Sequence, residues 1–202
     1  MAPTRVIRPL VRPRKEPMNA RSLRLGLAAA VAATLAVAGG PAASAGDEAG
    51  AAQSPATVLM KFNGKRLLFD APQQVSAGQT LQIVNRTKTR RFGPHTFSLV
   101  EETLLPDTRQ ERRGCFAPRK ICLEIALAHE FDPRTERVDK KVVRAGRSGW
   151  SKMFTRDAKG DSWYTEKLGT SFGQPVTAEA GSTLSYMCAV HPEMQGKIEV
   201  VE

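Results

Sequence analysis

Histidine and cysteine are scarce in this 202-residue chain, with three of each, and aromatic residues make up only 6% of it. Three cysteines cannot build the dense disulfide framework of a small secreted scaffold. The 157 residues beyond position 45 suit one domain and are long enough to bury a core without such a framework. The formal net charge is +10, yet no basic face is interleaved with aromatics and no nucleic-acid reading module is present, which argues against a nucleic-acid partner. A twin-arginine signal is absent, because Arg21 and Arg24 are not adjacent. No Cys stands directly after the apolar run that follows them, so lipid anchoring has no attachment residue.

The charge is unevenly placed. Residues 1–45 hold seven Lys/Arg against one acid, Glu16, leaving 23 basic and 19 acidic residues and a net of +4 for the remainder. These 45 residues read as a signal peptide with an N-terminal extension. Arg21 and Arg24 form a positive start, Leu25 to Ala38 is apolar, Gly39-Gly40-Pro41 breaks the helix, and Ala43-Ser44-Ala45 is a cleavage site. Met18 offers an alternative start. The expected destination is the periplasm, the exterior or the cell surface. An uncleaved leader, slightly short for a span, would hold the protein near a membrane instead. Residues 46–55 read as a flexible linker rich in Gly and Ala.

From residue 56 the pattern becomes short runs with turn punctuation. Val58, Met60 and Phe62 alternate with Leu59 and Lys61, and Asn63-Gly64 signals a hairpin. Ala77-Gly78 is another turn, before Leu81 and Ile83. His95, Phe97 and Leu99 share one strand face, with Thr96 and Ser98 on the other. Residues 183–187 and 197–200 are further strands. Many short strands of this kind predict an all-β sandwich or barrel. Residues 101–160 differ, with 14 Lys/Arg and 10 Asp/Glu. They read as a charged, partly helical insertion between two halves of one domain spanning 56–202, with Ile121 to His129 as the helix and too few apolar residues for a core of its own.

Chemistry is concentrated in Cys188-Ala-Val-His191-Pro-Glu-Met194, which sets a thiolate, an imidazole and a thioether within seven residues between two strands. Two imidazoles and a thiolate in a trigonal set, with a weak axial Met, define a type 1 copper centre. His95, following the rigid Gly93-Pro94, supplies the second imidazole. Cu(I) favours soft sulfur and Cu(II) favours nitrogen, so a fixed intermediate set suits both moderately and little rearranges on electron transfer. Zinc is the other metal to weigh, although only one Cys and two His are well placed for it.

The segment MCAVHPEMQGKIEV resembles the C-terminal copper loop of the plastocyanin/azurin-like cupredoxin family, with Cys-x₂-His-x₂-Met spacing similar to amicyanin. GPHTFSLV resembles the family's first-histidine strand. The likeness covers roughly residues 56–100 and 161–202. It implies a Greek-key β-sandwich binding one type 1 copper ion, with His95, Cys188 and His191 as equatorial ligands and Met194 as axial ligand. His191 is then the ligand exposed at the domain tip. Many family members carry Asn after the first His, where this chain has Thr96. The resemblance implies a monomeric one-electron carrier that meets a redox partner protein.

Three histidines are too few for an additional catalytic copper cluster, which argues against an enzyme such as a multicopper oxidase or copper nitrite reductase. The charged insertion motivates a second reading, a copper-binding and delivery module that docks through residues 101–160. Cys115 and Cys122 are expected to pair as a disulfide in an exported protein, the alternative being a second redox or copper site. His129 reads as a surface or helix-capping residue, with a proton or metal role as the alternative. Arg86, Lys88, Arg90 and Arg91 precede the His95 strand, either to dock an acidic partner or as a solvated loop.

Overall fold

The computed structural model describes residues 53–202. The expected signal peptide and most of the expected 46–55 linker lie outside the described residues. Twelve strands, four short α-helices and one 3₁₀ turn (Glu102–Leu104) follow. The strands are β1 (Ala56–Phe62), β2 (Leu67–Asp70), β3 (Gln74–Ser76), β4 (Thr80–Asn85), β5 (His95–Leu99), β6 (Phe131–Asp132), β7 (Arg137–Val138), β8 (Val142–Val143), β9 (Ser162–Thr165), β10 (Ser171–Pro175), β11 (Thr183–Met187) and β12 (Gln195–Val201). The helices are α1 (Thr89–Phe92), α2 (Arg109–Arg113), α3 (Ile121–Ala128) and α4 (Ala145–Ser148). None of these helices is long and apolar enough to cross a membrane.

Ten of these strands form a Greek-key β-sandwich, and β6 and β7 pair as a separate ribbon. One sheet has the order β10-β4-β1-β2 and the other the order β3-β12-β11-β5-β9-β8. The chain crosses between sheets at β2–β3, β3–β4, β4–β5, β9–β10 and β10–β11, so most neighbours in a sheet are distant in sequence. Both sheets are mixed, because β1 runs parallel to β4 and β12 parallel to β3. Local chemistry starts the pattern. Gly64 takes φ +92° in the β1–β2 turn, and the Asn63 side chain accepts from the Lys65 and Arg66 amides at 3.1 and 3.0 Å. That turn sets Met60 opposite Phe69.

The alternating residues then fill the space between the sheets. Val58, Met60, Leu81 and Ile83 from one sheet meet Phe97, Leu99, Leu184, Ile198 and Val200 from the other, all nearly inaccessible. Trp150 closes this core, with its ring edge-on to Phe97 and its indole N–H donating to the Leu81 carbonyl at 3.2 Å. Gly196 faces Tyr186 across the β11–β12 pair, and a Cβ there would stand 2.2 Å from the tyrosine oxygen. The glycine therefore lets Tyr186 lie flat against β12 and stack on Phe97 two positions before Cys188.

Residues 101–160 correct one expectation. They do not form a polar excursion lacking a core. A second apolar cluster joins Cys115, Ile121, Cys122, Ile125, Ala128, Val143 and Phe154 to Val100, Met187 and Ala189 of the six-stranded sheet. The inserted layer thus covers the outer face of that sheet, which explains why β5 and β9 are buried at every position instead of at alternate ones. The stretch is not uniform, because Val142–Val143 pair as β8 with β9, and Ala145 and Trp150 belong to the inter-sheet core.

Helix α3 forms where the apolar run of residues 121–128 predicts it, with His129 at its C-cap. Helix α2 begins at a capping box, in which Thr108 and Glu111 bond to each other's backbone amides. Cys115 and Cys122 are joined as a disulfide with Cα atoms 5.2 Å apart, tying the exit of α2 to α3. The crosslink closes a short loop, for which the chain-entropy estimate is about 2 kcal/mol. The double substitution C115S/C122S is expected to lower stability by about that amount while leaving the inter-sheet core intact. Urea denaturation monitored by tryptophan fluorescence measures it.

Candidate metal centre

Strand β5 places His95 at its first residue, directly after Gly93 (φ +74°) and Pro94. Strand β11 delivers Cys188 one residue past its end, and the turn to β12 carries His191 and Met194. Pairing of β5 with β11 sets the two segments side by side, although their cysteine and histidine lie 93 positions apart. The turn closes on itself, with Met194 N–H donating to the His191 carbonyl at 2.8 Å and Cys188 N–H donating to the Met194 carbonyl at 2.9 Å. The Gln195 side chain ties the turn to its own Pro192 carbonyl at 2.6 Å and to Pro106 of the inserted layer at 3.0 Å.

The donor atoms converge. His95 Nδ1 lies 3.9 Å from Cys188 Sγ and His191 Nδ1 lies 3.7 Å from it, and one ligand atom from each of the three residues falls within 4.8 Å of the others. The imidazole rings are 4.7 Å apart between centres. His95 and Cys188 are fully buried and His191 is half-buried. Met194 is buried in the same apolar cluster as Cys188.

Two residues that the sequence reading missed fix the first imidazole. His95 Nε2 lies 2.7 Å from Thr87 Oγ1, and that hydroxyl donates to Asn85 Oδ1 at 2.7 Å. With its own proton spent on Asn85, Thr87 accepts from His95 Nε2–H, which leaves Nδ1 as a bare lone pair aimed at the sulfur. A Thr two residues beyond an Asn at a strand end was the available signal, but only the fold sets the pair against His95. His191 lies beside the Phe92 backbone, so α1 partly covers the ligand expected to be exposed at the tip.

Thr96 fills the place where many cupredoxins carry Asn. Its N–H donates to Cys188 Sγ at 3.3 Å, and its hydroxyl accepts from Ala189 N–H at 2.8 Å. The cross-link between β5 and the loop therefore exists with threonine.

The electrostatics fit a soft cation. Burial lowers His95 to about 4, helped by the neighbouring His191, and burial lowers His191 as well. Burial pushes the Cys188 thiol up, opposed by the Thr96, His191 and Val190 backbone and by the Thr96 side chain. Both imidazoles are thus neutral and turn lone pairs toward one sulfur, whose single S–H can satisfy only one of them. A metal ion of the soft-to-borderline class satisfies all three donors at once and replaces the thiol proton. Burial likewise lowers His129 in the inserted layer to about 4.

Two expectations follow from this geometry. Thr87→Val deletes the acceptor for His95 Nε2–H and should weaken metal affinity by roughly 10–100-fold, read by competition with a chelator. Protons favour the unfolded chain wherever a histidine pKa is depressed by folding. The metal-free protein should therefore hold its full stability above about pH 6.5. It should lose stability progressively toward pH 4, where the folded His95 and His129 titrate. Thermal melts across that window measure the loss, and an unchanged melting temperature would contradict the burial argument.

No family model matches the chain, and no curated protein matches it. Solved structures similar to it include a purple cupredoxin from Nitrosopumilus maritimus, at 12% identity and a TM-score of 0.37, covering 72% of this chain and 98% of that one. Auracyanin A, a blue copper protein from Chloroflexus aurantiacus, aligns at 21% identity and a TM-score of 0.37 over 73% of this chain and 99% of its own. A copper-containing nitrite reductase from Thermus scotoductus aligns at 17% identity and a TM-score of 0.36, over 74% of this chain and 23% of that chain. The protein resembles cupredoxins in its mixed two-sheet sandwich and in the His95–Cys188–His191 group at one end of it.

Proposed function

We propose that the chain is an exported type 1 (blue) copper protein that carries one electron at a time. The carrying observation is the convergence of His95 Nδ1, His191 Nδ1 and the buried Cys188 sulfur within 4.8 Å. In this reading those three residues are the equatorial ligands and Met194 is the axial one. Copper bound there supplies a one-electron Cu(II)/Cu(I) couple. The protein's part is to hold the donors still. Thr87 fixes the His95 tautomer, Thr96 holds the sulfur from β5, and the Cys188–Met194 backbone bond keeps the loop from opening. Tyr186 and Phe97, buried in the same apolar cluster as Cys188, exclude water behind the sulfur.

Electron entry and exit are assigned to the His191 end, beside α1. Arg86, Lys88, Arg90 and Arg91 are all exposed there, so the docking partner is an acidic redox protein met by a monomeric carrier. Arg91 also lies over the Phe62 and Phe92 rings at 5.1 and 4.9 Å, which orders that end of the cluster. A delivery role would rest on the insertion, but Ile121, Ile125 and Ala128 are spent on packing against the sheet, which gives the insertion a structural task. The carrier is a non-enzymatic protein in this reading.

Copper-loaded protein should be intensely coloured by a thiolate-to-copper band and should bleach reversibly with ascorbate. Cys188→Ser should abolish the band. A colourless copper complex of the folded wild-type protein would overturn the proposal.

A further inference from the structure

His129 is buried at the end of α3, in the inserted layer, and it does not touch the ligand group. A row of hydrogen-bonded side chains nonetheless connects them. His129 Nδ1 lies 2.6 Å from the Lys140 carbonyl oxygen and Nε2 lies 2.7 Å from Ser162 Oγ. Ser162 Oγ is 2.6 Å from Ser98 Oγ, which is 3.1 Å from Thr96 Oγ1. The Thr96 hydroxyl in turn accepts from Ala189 N–H at 2.8 Å, beside the Cys188 sulfur to which the Thr96 amide donates at 3.3 Å. Ser98 and Ser162 face each other across β5 and β9, and His129, Ser162, Ser98 and Thr96 are all at most 3% exposed.

Counting protons constrains this row. Four contacts stand in line: carbonyl to ring, ring to Ser162, Ser162 to Ser98, and Ser98 to Thr96. The carbonyl brings no proton, a neutral ring brings one, and each hydroxyl brings one. Four protons fill four contacts in only one sense. The ring donates Nδ1–H to Lys140, and all three hydroxyls donate toward Nε2. Thr96 then has no proton left for the sulfur. In the opposite sense Ser98 donates to Thr96, as the angles at those two oxygens favour, and the Thr96 proton is free for Cys188. That sense needs a ring protonated at both nitrogens. Burial opposes such a cation and, with the Lys140 and Lys141 charges, outweighs the Lys140 carbonyl bond. The other titratable group facing the ring is Tyr164, 6.0 Å away and held as the neutral phenol by burial and by Glu166.

We propose that His129 is a positioning residue for the Cys188 sulfur: its bare Nε2 draws the Ser162, Ser98 and Thr96 hydroxyl protons toward the inserted layer and keeps the Thr96 hydroxyl from donating to the thiolate. The sulfur keeps the Thr96 backbone N–H but loses a competing hydroxyl donor. A thiolate with fewer donors gives more electron density to its metal, which favours the oxidised ion. The insertion thereby sets the potential of a site it does not contact. This consequence rests on the copper reading, whereas the proton arrangement does not.

Two experiments test it. In the metal-free protein near pH 7, long-range ¹⁵N–¹H correlation should show His129 as the neutral Nδ1–H tautomer. An Nε2–H tautomer or an imidazolium overturns the proposal. In the copper-loaded protein, Ser162→Ala removes the acceptor for the Ser98 proton and frees Thr96 to turn to the sulfur. The reduction potential should rise and the thiolate-to-copper band should move to higher energy. On a Thr96→Val background the same substitution should shift neither. No shift in the single variant, or an equal shift on both backgrounds, overturns the proposal. A wild-type copper complex without the band sinks the ligand reading alone, and the tautomer then decides the proton arrangement by itself.

Discussion

Burying a thiol between two imidazoles is the constraint on which the rest of this structure depends. His95 and Cys188 bring polar atoms into a place that water does not reach, with the half-buried His191 beside them, and an unmatched buried polar atom costs roughly 1–3 kcal/mol. The outer nitrogen of His95 is matched by Thr87 and, behind it, Asn85. His191 lies beside the Phe92 backbone, and the sulfur finds the Thr96 amide. What remains is a set of inward lone pairs that only a cation satisfies together. The site is thus defined as much by what surrounds its donors as by the donors.

The sandwich provides the rigidity for this arrangement. His95 begins a central strand of the six-stranded sheet, and Cys188 follows the strand beside it, so both are fixed by ladder hydrogen bonds and by packing around Trp150, Phe97 and Tyr186. The inserted layer adds a second constraint. By covering the outer face of the sheet it takes Thr96, Ser98 and Ser162 out of solvent, and these hydroxyls must then bond one another. A sheet face that would ordinarily be wet becomes a continuous hydrogen-bonded row between His129 and the metal loop.

Much of this was legible beforehand. The alternation at Val58–Phe62, the Asn63-Gly64 turn and the apolar run at 121–128 are local signals, and each formed as local chemistry requires. The loop from Cys188 to Met194 brings three candidate ligands together by proximity along the chain. The depth of the insertion was not legible. Its apolar residues are few, and their sufficiency depends on Val100, Met187 and Ala189, which only the fold brings against them. Thr87, Asn85 and Ser162 were missed for a related reason, since serine, threonine and asparagine are ordinary at turns and strand ends.

The sequence by itself determined the donor types, the turn that groups Cys188, His191 and Met194, and the strand periodicity that turns His95 inward, because these follow from residue chemistry and from spacing over a few positions. Only the tertiary structure decided that His95 meets Cys188 across 93 positions, that Thr87 sets its tautomer, and that His129 reaches the loop through three hydroxyls. Those contacts come from strands that cross between sheets and pair with distant neighbours. Such pairing is fixed by burial on both faces of a strand, a property that no short stretch of sequence contains.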